Sequence, residues 1–291
     1  MKILTFDVEE WFHILDFEGT KDEKQWHNFE YRLDANMDAL LELLDRHSQK
    51  ATFFCLGWLT KKHKHIIKRI DALGYEVATH SHLHNLVYEQ HARVFEEDLS
   101  YSIQALQDVT GKKIRAYRAP GFSLKEENRW VFEILLAYGI EVDCSIFPAK
   151  RAHGGFENFG VDEPSLIETN HGMLKEFPMS IDQVLWKKIV SSGGGYFRLF
   201  PYPLIRHLMR KRTYAMTYFH PHDFDPHRPV IDGLAPFRKF KAYVGLGGAM
   251  AKLEKLITDF EFIDLDEAIE RVAWEKAPVI HLPERRSVQR I

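Results

Sequence analysis

The sequence is short of cysteine and of long apolar runs, and each shortage excludes a class of protein. It contains two cysteines, Cys55 and Cys144, and each lies inside an apolar run, as expected of a buried reduced thiol. Charged residues follow the apolar start MKILTF at once, so this stretch is too short for a signal peptide or a membrane span. We therefore expect a cytoplasmic protein without disulfides and without a transmembrane segment.

Excess positive charge and glycine-rich nucleotide motifs are also missing. The formal net charge is −3 at pH 7, so no broad basic field exists that would gather a nucleic acid. No G-x-G-x-x-G follows the first apolar run, and G-x-x-x-x-G-K-[ST] occurs nowhere in the chain. Neither nucleic-acid binding nor a nucleotide-binding open sheet is therefore expected.

Short β-rich runs alternate with helical patterns over most of the 291 residues. Leucine and methionine recur at i, i+3, i+4 and i+7 spacing between Tyr31 and Arg46, which predicts an amphipathic helix. Further helices are predicted at about 59–73, 94–110, 125–138, 199–211 and 236–258. The predicted strands are 2–6, 51–56, 76–79, 114–117, 141–146, 173–177, 214–219 and 260–263.

This alternation predicts an α/β fold with a mostly parallel sheet, in which seven or eight strands close into a barrel. An open doubly wound sheet is the alternative. We expect one catalytic domain over residues 1–275 and a C-terminal tail over 276–291. The glycine-rich stretch 180–198 is predicted to be a loop inserted beside the barrel mouth, where long loops are usually functional.

Polar residues collect where four of the predicted strands end, and these ends share one face of a parallel barrel. His80 and His84 are four residues apart, so a helical turn would point both imidazoles at one cation. A carboxylate from the first strand completes a two-histidine, one-acid set, which is typical of catalytic metals. We assign Glu9 as that ligand; Glu10 is the rival, although its position should turn it away from Glu9.

The remaining polar residues at these ends suit proton transfer. Asp7 is predicted to act as the base that takes a proton from water activated by the metal, and His220 as the acid that protonates the leaving amine. Arg118 is expected to clamp Asp7 with two nitrogens, and Asp143 is expected to orient His220.

At this point the motifs resemble those of the polysaccharide deacetylases of the NodB homology type, carbohydrate esterase family four. In order, the chain reads TFDVEE, ATFFCLG, GYEVATHSHLH, YRAPGFS, YGIEVDCSIFP and TYFHPHDFD, and these motifs span about residues 1–270. The GGGYFRLFPY and FHPHDFDP segments look most like the subgroup found in exopolysaccharide and surface-glycan gene clusters.

The resemblance implies a distorted (β/α) barrel that binds a divalent metal ion through His80 and His84, most simply Zn²⁺, with Co²⁺, Ni²⁺ and Fe²⁺ as alternatives. It places the base on Asp7, the arginine motif on Arg118 and the acid on His220. The Asp7-Val8-Glu9 spacing departs from the adjacent aspartates common in the family and is similar to its D-x-D members.

The substrate implied by the resemblance is an N-acetylated glycan or glycan precursor. Six residues near the predicted rim are candidate substrate contacts: Trp11, Pro120, Tyr196, Phe197, Arg198 and His222. Core packing is the expected role of at least one of the aromatic residues. Two other functions stay open, a cyclic ureide or imide hydrolase on the same barrel and a catalytically silent glycan-binding module.

Overall fold

The fold is a mostly parallel α/β sheet that curves around an apolar interior. A computed structural model describes residues 1–15, 17–151, 153–184, 187–231 and 233–282. Its largest sheet has eight strands in the order β12-β7-β8-β6-β5-β4-β3-β2, and every neighbouring pair is parallel except β7 and β8. The strands are β1 Lys2–Ile3, β2 Thr5–Val8, β3 Thr52–Cys55, β4 Glu76–Thr79, β5 Ala116–Tyr117, β6 Val142–Asp143, β7 Ser165–Thr169, β8 Gly172–Glu176, β9 Asp182–Val184, β10 Lys187–Ile189, β11 Ala215–Met216 and β12 Val279–His281.

The first and eleventh strands bring the far end of the chain beside the first motif. β1 and β11 pair in parallel, and the Asp7 backbone N–H donates to the Phe219 carbonyl over 2.7 Å. Apolar residues from successive strands, including Phe54, Ala116, Val142 and Met216, form one buried cluster. The acid-rich end of β2 and the histidine-rich segment after β11 are therefore held against each other by backbone hydrogen bonds.

The helices follow the predicted amphipathic patterns. Helix α1, for example, buries Leu33, Met37, Leu40, Leu41 and Leu44 against the sheet, which is the stripe expected of a period of 3.6 residues. The helices are α1 Leu33–Arg46, α2 Leu59–Lys62, α3 Lys64–Ala72, α4 Ala92–Thr110, α5 Trp130–Ala137, α6 Gly194–Leu199, α7 Tyr202–Lys211, α8 Pro236–Tyr243, α9 Leu246–Asp259 and α10 Leu265–Arg271.

Several predicted elements differ from the structure. The predicted helix 199–211 begins later, as α7, because Pro201 lacks a backbone donor and ends α6. The helix predicted at 236–258 is broken where Gly245 takes a φ of +70°. The strand predicted at 260–263 is reduced to a single bridge between Ile3 and Ile263.

The predicted inserted loop 180–198 is structured where it is described. It contains the antiparallel pair β9 and β10 and most of α6, and Gly193 forms a parallel bridge to Tyr218. A Cβ on Gly193 would lie 2.1 Å from the Tyr218 carbonyl oxygen, so this close approach requires glycine.

The predicted C-terminal tail, 276–291, contains the edge strand β12, and residues 283–291 lie outside the described part of the chain. The domain boundary at 275 stays a prediction.

Two buried carboxyl groups face each other on neighbouring strands. Asp143 of β6 pairs in register with Glu176 of β8, both side chains are buried, and their carboxyl groups share a hydrogen bond. Burial raises the pKa of Asp143 to about 6, and burial together with the Asp143 charge raises the pKa of Glu176 well above its usual range. The fold therefore favours a protonated pair.

This pair predicts that the folded chain loses stability as the pH rises. An acid whose pKa is raised in the folded state opposes folding once it must ionise, so the loss begins near the unfolded pKa of about 4 and continues through pH 6 and above. We expect Glu176→Gln to reduce the drop in unfolding free energy between pH 5 and pH 8 by on the order of 1–3 kcal/mol. Urea unfolding at both pH values measures this drop, and exposed Glu97→Gln is the control. An unchanged drop in Glu176→Gln would contradict the shared proton.

Candidate metal and hydrolytic centre

The loop after β4 brings two histidines together without forming a helix. Ser81 and His84 adopt φ values of 67° and 58°, so the segment between His80 and His84 does not take the helical turn that would point both rings at one cation. The loop is held instead by the Asp98 carboxylate of α4, which accepts from the backbone N–H groups of His82 and Leu83. The His80 and His84 rings nevertheless lie 5.3 Å apart.

Glu9 completes a group of three ligand atoms. Its Oε2 lies 2.6 Å from His84 Nε2, and one ligand atom each from Glu9, His80 and His84 lie within 4.8 Å of one another. His80 Nδ1 contacts the Arg118 carbonyl over 2.8 Å, which orients the ring and leaves Nε2 for a ligand bond. This buried two-histidine, one-carboxylate set fits a divalent metal ion with open coordination positions.

Charge and burial both suit a cation at this point. Burial raises the pKa of Glu9, but the imidazoles of His84, His220 and His222 outweigh it and hold that pKa well below its usual range. Burial lowers the pKa of His80 to about 4. An ionised carboxylate and a neutral imidazole are the forms that bind a metal.

Glu10 points elsewhere, as its position predicts. Its Oε1 accepts from the backbone N–H groups of Arg32 and Leu33 at the start of α1, and it therefore satisfies donors that the helix leaves free. Burial raises the pKa of Glu10 to about 7.

Asp7 is held by a fully buried arginine. Arg118 Nη1 donates to Asp7 Oδ1 over 2.6 Å and to Thr5 Oγ1 over 2.8 Å, while the guanidinium stacks 4.0 Å over the Phe54 ring. Nη2 faces Met216 Sδ, so the contact uses one nitrogen and not the expected two. The second Asp7 oxygen remains directed to the site, 4.0 Å from His220 Nε2.

His220 is oriented by Asp223, and the prediction that Asp143 does so is wrong. His220 Nδ1 contacts Asp223 Oδ2 over 2.9 Å, whereas Asp143 bonds to Ser145 and Glu176. His220 Nε2 then faces Asp7 and Glu9 at 4.0 and 3.9 Å. Burial lowers the pKa of His220, but the Asp223 carboxylate outweighs it and raises that pKa to about 9.

Asp223 follows His220 by three residues, and this spacing was the signal that sequence reasoning missed. A residue three positions into a turn can bond both the backbone N–H and the side chain of the first residue, and Asp223 does so in the 3₁₀ turn Pro221–Phe224. Arg198 Nε lies 3.1 Å from the other Asp223 oxygen. Asp223 thus lies between an arginine and a histidine.

Most of the predicted substrate contacts are buried. Trp11 is 5% exposed and donates to the Glu30 carbonyl, and Phe197 is fully buried 4.8 Å from the Phe219 ring. Neither presents a face for a sugar, so both predictions are wrong. Pro120 is also buried, in a 3₁₀ turn, whereas Tyr196 remains 38% exposed.

Arg198 and His222 are buried beside the site and contact its side chains. Arg198 binds Asp223 and the carbonyls of Lys241, Ala242 and Val244. Because those partners occupy its guanidinium, Arg198 is not a substrate contact. The His222 ring stacks on His220, with centroids 4.9 Å apart, and its Nδ1 lies 4.0 Å from Glu9 Oε1.

A buried histidine that sequence reasoning did not single out borders the metal group. His13 stacks 5.9 Å from the His84 ring and accepts from the Glu10 backbone N–H through Nδ1. Burial lowers the pKa of His13 to about 3. His13 and His84 also line a surface pocket together with Trp26 and Leu86.

Two family models match the chain. Residues 18–141 match the polysaccharide deacetylase model, and residues 144–270 match a domain of unknown function, DUF3473. Among curated proteins, a peptidoglycan deacetylase of Helicobacter pylori is 27% identical over 113 residues, which are 39% of this chain and 38% of that protein. A bifunctional xylanase/deacetylase of Pseudobutyrivibrio xylanivorans is 26% identical over 86 residues, which are 29% of this chain and 14% of that protein.

Solved structures share the fold at low sequence identity. A candidate polysaccharide deacetylase from Mycobacterium smegmatis has a TM-score of 0.65 and 19% identity over 97% of this chain and 93% of its own. A 4-alpha-glucanotransferase from Thermococcus litoralis has a TM-score of 0.61 and 13% identity over 97% of this chain and 41% of its own. A carbohydrate esterase family four pseudoenzyme from Bacillus anthracis has a TM-score of 0.52 and 14% identity over 97% of this chain and 69% of its own.

These likenesses agree with the α/β barrel predicted from the sequence. The matched deacetylase segment includes two members of the metal group, His80 and His84, and Arg118, whose carbonyl contacts His80. The third member, Glu9, lies before that segment. The resemblance to the polysaccharide deacetylases predicted from the sequence is therefore confirmed for residues 18–141.

Proposed function

We propose that the chain hydrolyses an N-acetyl group on a carbohydrate and depends on a divalent metal ion. One observation carries the proposal: Glu9 of the metal group lies within 4.0 Å of His220, and His220 lies within 4.0 Å of Asp7. A metal group, a carboxylate base and an imidazole acid thus meet at one buried point. An amide is hydrolysed by such a set because water must lose a proton while the departing amine gains one.

Glu9, His80 and His84 would hold the metal ion. Nitrogen and carboxylate ligands in this number suit Zn²⁺ best, and Co²⁺, Ni²⁺ and Fe²⁺ accept the same ligands. When bound, the ion would supply Lewis-acid chemistry by polarising the acetyl carbonyl and making water more acidic.

Asp7 takes the proton from the attacking water. Its Oδ1 accepts from Arg118 Nη1, which also donates to Thr5 Oγ1, so the guanidinium and the carboxylate are both held in place. Asp7 Oδ2 faces the site. The buried guanidinium pairs with the Asp7 carboxylate over 2.6 Å and fixes its orientation.

His220 gives a proton to the nitrogen of the leaving amine. The Asp223 hydrogen bond fixes Nδ1 as the donor to the carboxylate and presents Nε2 to the site. Asp223 also favours the protonated imidazole, which is the form that donates. Arg198 positions Asp223 in turn.

The two other functions predicted from the sequence can be separated from this one by substrate. The pseudoenzyme that shares the fold illustrates that a barrel can lack the reaction. Acetate release from N-acetylhexosamine oligomers supports the proposed function; turnover of allantoin-like rings alone would indicate a cyclic ureide hydrolase. Glycan binding without either reaction would indicate a binding module. The cytoplasmic location expected from the sequence stays a prediction, which cell fractionation tests.

Asp7→Asn should abolish most acetate release while leaving the metal in place. The substitution removes the proton acceptor but none of the three proposed ligands, and loss of a general base typically costs about 10²–10⁴ in kcat. Acetate assay and metal analysis of the same preparation measure both effects, and its melting temperature shows whether it stays folded once Arg118 has lost its charged partner. If Asp7→Asn released acetate at the wild-type rate, Asp7 would not be the base.

His80→Ala should lose the metal ion. Removal of one of three proposed ligands leaves a site with too few donors. The control variant His207→Ala changes an exposed histidine and should keep one metal ion per chain. Metal content is measured after dialysis against buffer without metal. Equal content in the two variants would place the metal ion elsewhere.

Asp223→Asn should lower kcat about 10- to 100-fold with metal content unchanged, because it weakens the contact that orients His220. Asp143→Asn is the matched control, since its carboxyl group bonds to Ser145 and Glu176, and it should keep kcat near the wild-type value. A larger loss of kcat in Asp143→Asn than in Asp223→Asn would instead make Asp143 the partner of His220.

A further inference from the structure

Helix α8 presents aromatic side chains to solvent. None of its residues, Pro236 to Tyr243, is buried, and Phe237 and Phe240 are 67% and 53% exposed. They are three residues apart, so they lie on the same side of the helix. Exposed apolar residues scattered singly need no explanation, but two phenylalanines together on one helix face indicate a surface that binds something.

Lys241 lies on the same side of the helix as the phenylalanines, and Lys239 is exposed on another side of it. Lys239 and Lys241 are exposed, and Lys241 Nζ lies 4.5 Å from the centre of the Phe237 ring. The sequence around this helix is also free of acids, because residues 233–253 contain Arg238, Lys239, Lys241 and Lys252 but no aspartate or glutamate. The local charge is therefore positive although the whole chain is slightly acidic.

Helix α6 is bonded to the end of α8 and connects it to the hydrolytic centre. Tyr196 and Leu199 are 38% and 44% exposed on α6. Between them in sequence, Arg198 donates to the carbonyls of Lys241 and Ala242 at the end of α8 and pairs with Asp223, the partner of His220. The stretch 183–222, which includes α6, contains seven lysines and arginines and no aspartate or glutamate.

We propose that the aromatic and cationic face of Phe237, Phe240 and Lys241, with Lys239 and the exposed Tyr196 and Leu199 of α6 nearby, docks on the surface of an anionic lipid bilayer. Phenylalanines that enter the headgroup region beside lysines that remain at the charged surface are typical of interfacial helices. Lysines near an anionic bilayer each add to binding, and no acid in the 233–253 stretch opposes them.

A second copy of the chain fits this face less well than a bilayer. Self-association would place Lys239 and Lys241 against the same cations of the partner, and like charges repel at such a contact. A bilayer with anionic headgroups supplies both the apolar layer for the phenylalanines and the opposite charge for the lysines.

Docking would hold the hydrolytic centre near the membrane. A glycan carried on a lipid then becomes the expected substrate class, and this consequence alone rests on the proposed deacetylase function.

The test is sedimentation of the full chain with lipid vesicles, without glycan, so that its result does not depend on deacetylase activity. We expect binding to vesicles with roughly 30% phosphatidylglycerol in phosphatidylcholine, weak binding to phosphatidylcholine alone, and release at about 0.5 M salt. The double variant Phe237→Ser/Phe240→Ser should lower the partition coefficient at least tenfold. Lys239→Gln and Lys241→Gln should each lower it about fivefold.

Val94→Ser/Tyr101→Ser is the matched control. Both side chains are 49% exposed on α4, and Lys61 lies over the Tyr101 ring as Lys241 lies over Phe237. This variant should bind vesicles as the wild type does, and melting temperatures should show that all variants are folded. Equal binding by the wild type and Phe237→Ser/Phe240→Ser, or equal binding to neutral and anionic vesicles, would overturn the proposal. A dimer that the phenylalanine substitutions dissolve would instead assign the face to self-association and overturn it as well.

Discussion

The site depends on Arg118, a fully buried residue that acts through both its side chain and its backbone. The guanidinium holds Asp7 on β2, and the carbonyl of the same residue contacts Nδ1 of His80 after β4. The proposed base and one proposed metal ligand are therefore fixed by one residue. A buried guanidinium without its carboxylate would be strongly destabilising, on the order of 3–5 kcal/mol, so Asp7 and Arg118 constrain each other. The guanidinium of Arg118 also stacks on the Phe54 ring, which covers one face of this buried charge.

The centre combines parts from both halves of the chain. The segment that matches the deacetylase model supplies His80, His84 and Arg118, whereas His220 and Asp223 lie in the segment that matches DUF3473. The contact between β2 and the residues after β11 brings these halves together. Because Arg198 binds Asp223 on one side and the end of α8 on the other, the second segment both completes the centre and connects it to an exposed surface. This arrangement gives the segment of unknown function a physical role in orienting His220.

Much of this arrangement was readable from the sequence. Apolar periodicity located α1, and the ends of parallel strands located the polar residues, since those ends must share one face. The choice of Glu9 over Glu10 followed from the alternation of side chains along an extended backbone. Other features depended on backbone conformations that composition does not reveal. His80 and His84 meet through residues with positive φ, which a spacing rule reads as a helical turn.

Asp143 and the buried aromatic residues show a second limit of sequence reasoning. Its position at a strand end suggested Asp143 as the partner of His220, but strand register places it opposite Glu176. Trp11 and Phe197 flank the rim in sequence and yet point into the core, because burying a large aromatic surface is more favourable than exposing it.

The most direct measurement is the anomalous scattering of crystals grown with Zn²⁺ or Co²⁺, recorded at the absorption edge of the metal. The account predicts an ion about 2.0–2.2 Å from Glu9, His80 and His84, with Asp7 and His220 facing it. A second group of possible ligands, Asp34, His63 and His65, lies near the start of α1 and α3. An ion bound only there, with none between Glu9 and the two loop histidines, would contradict the account.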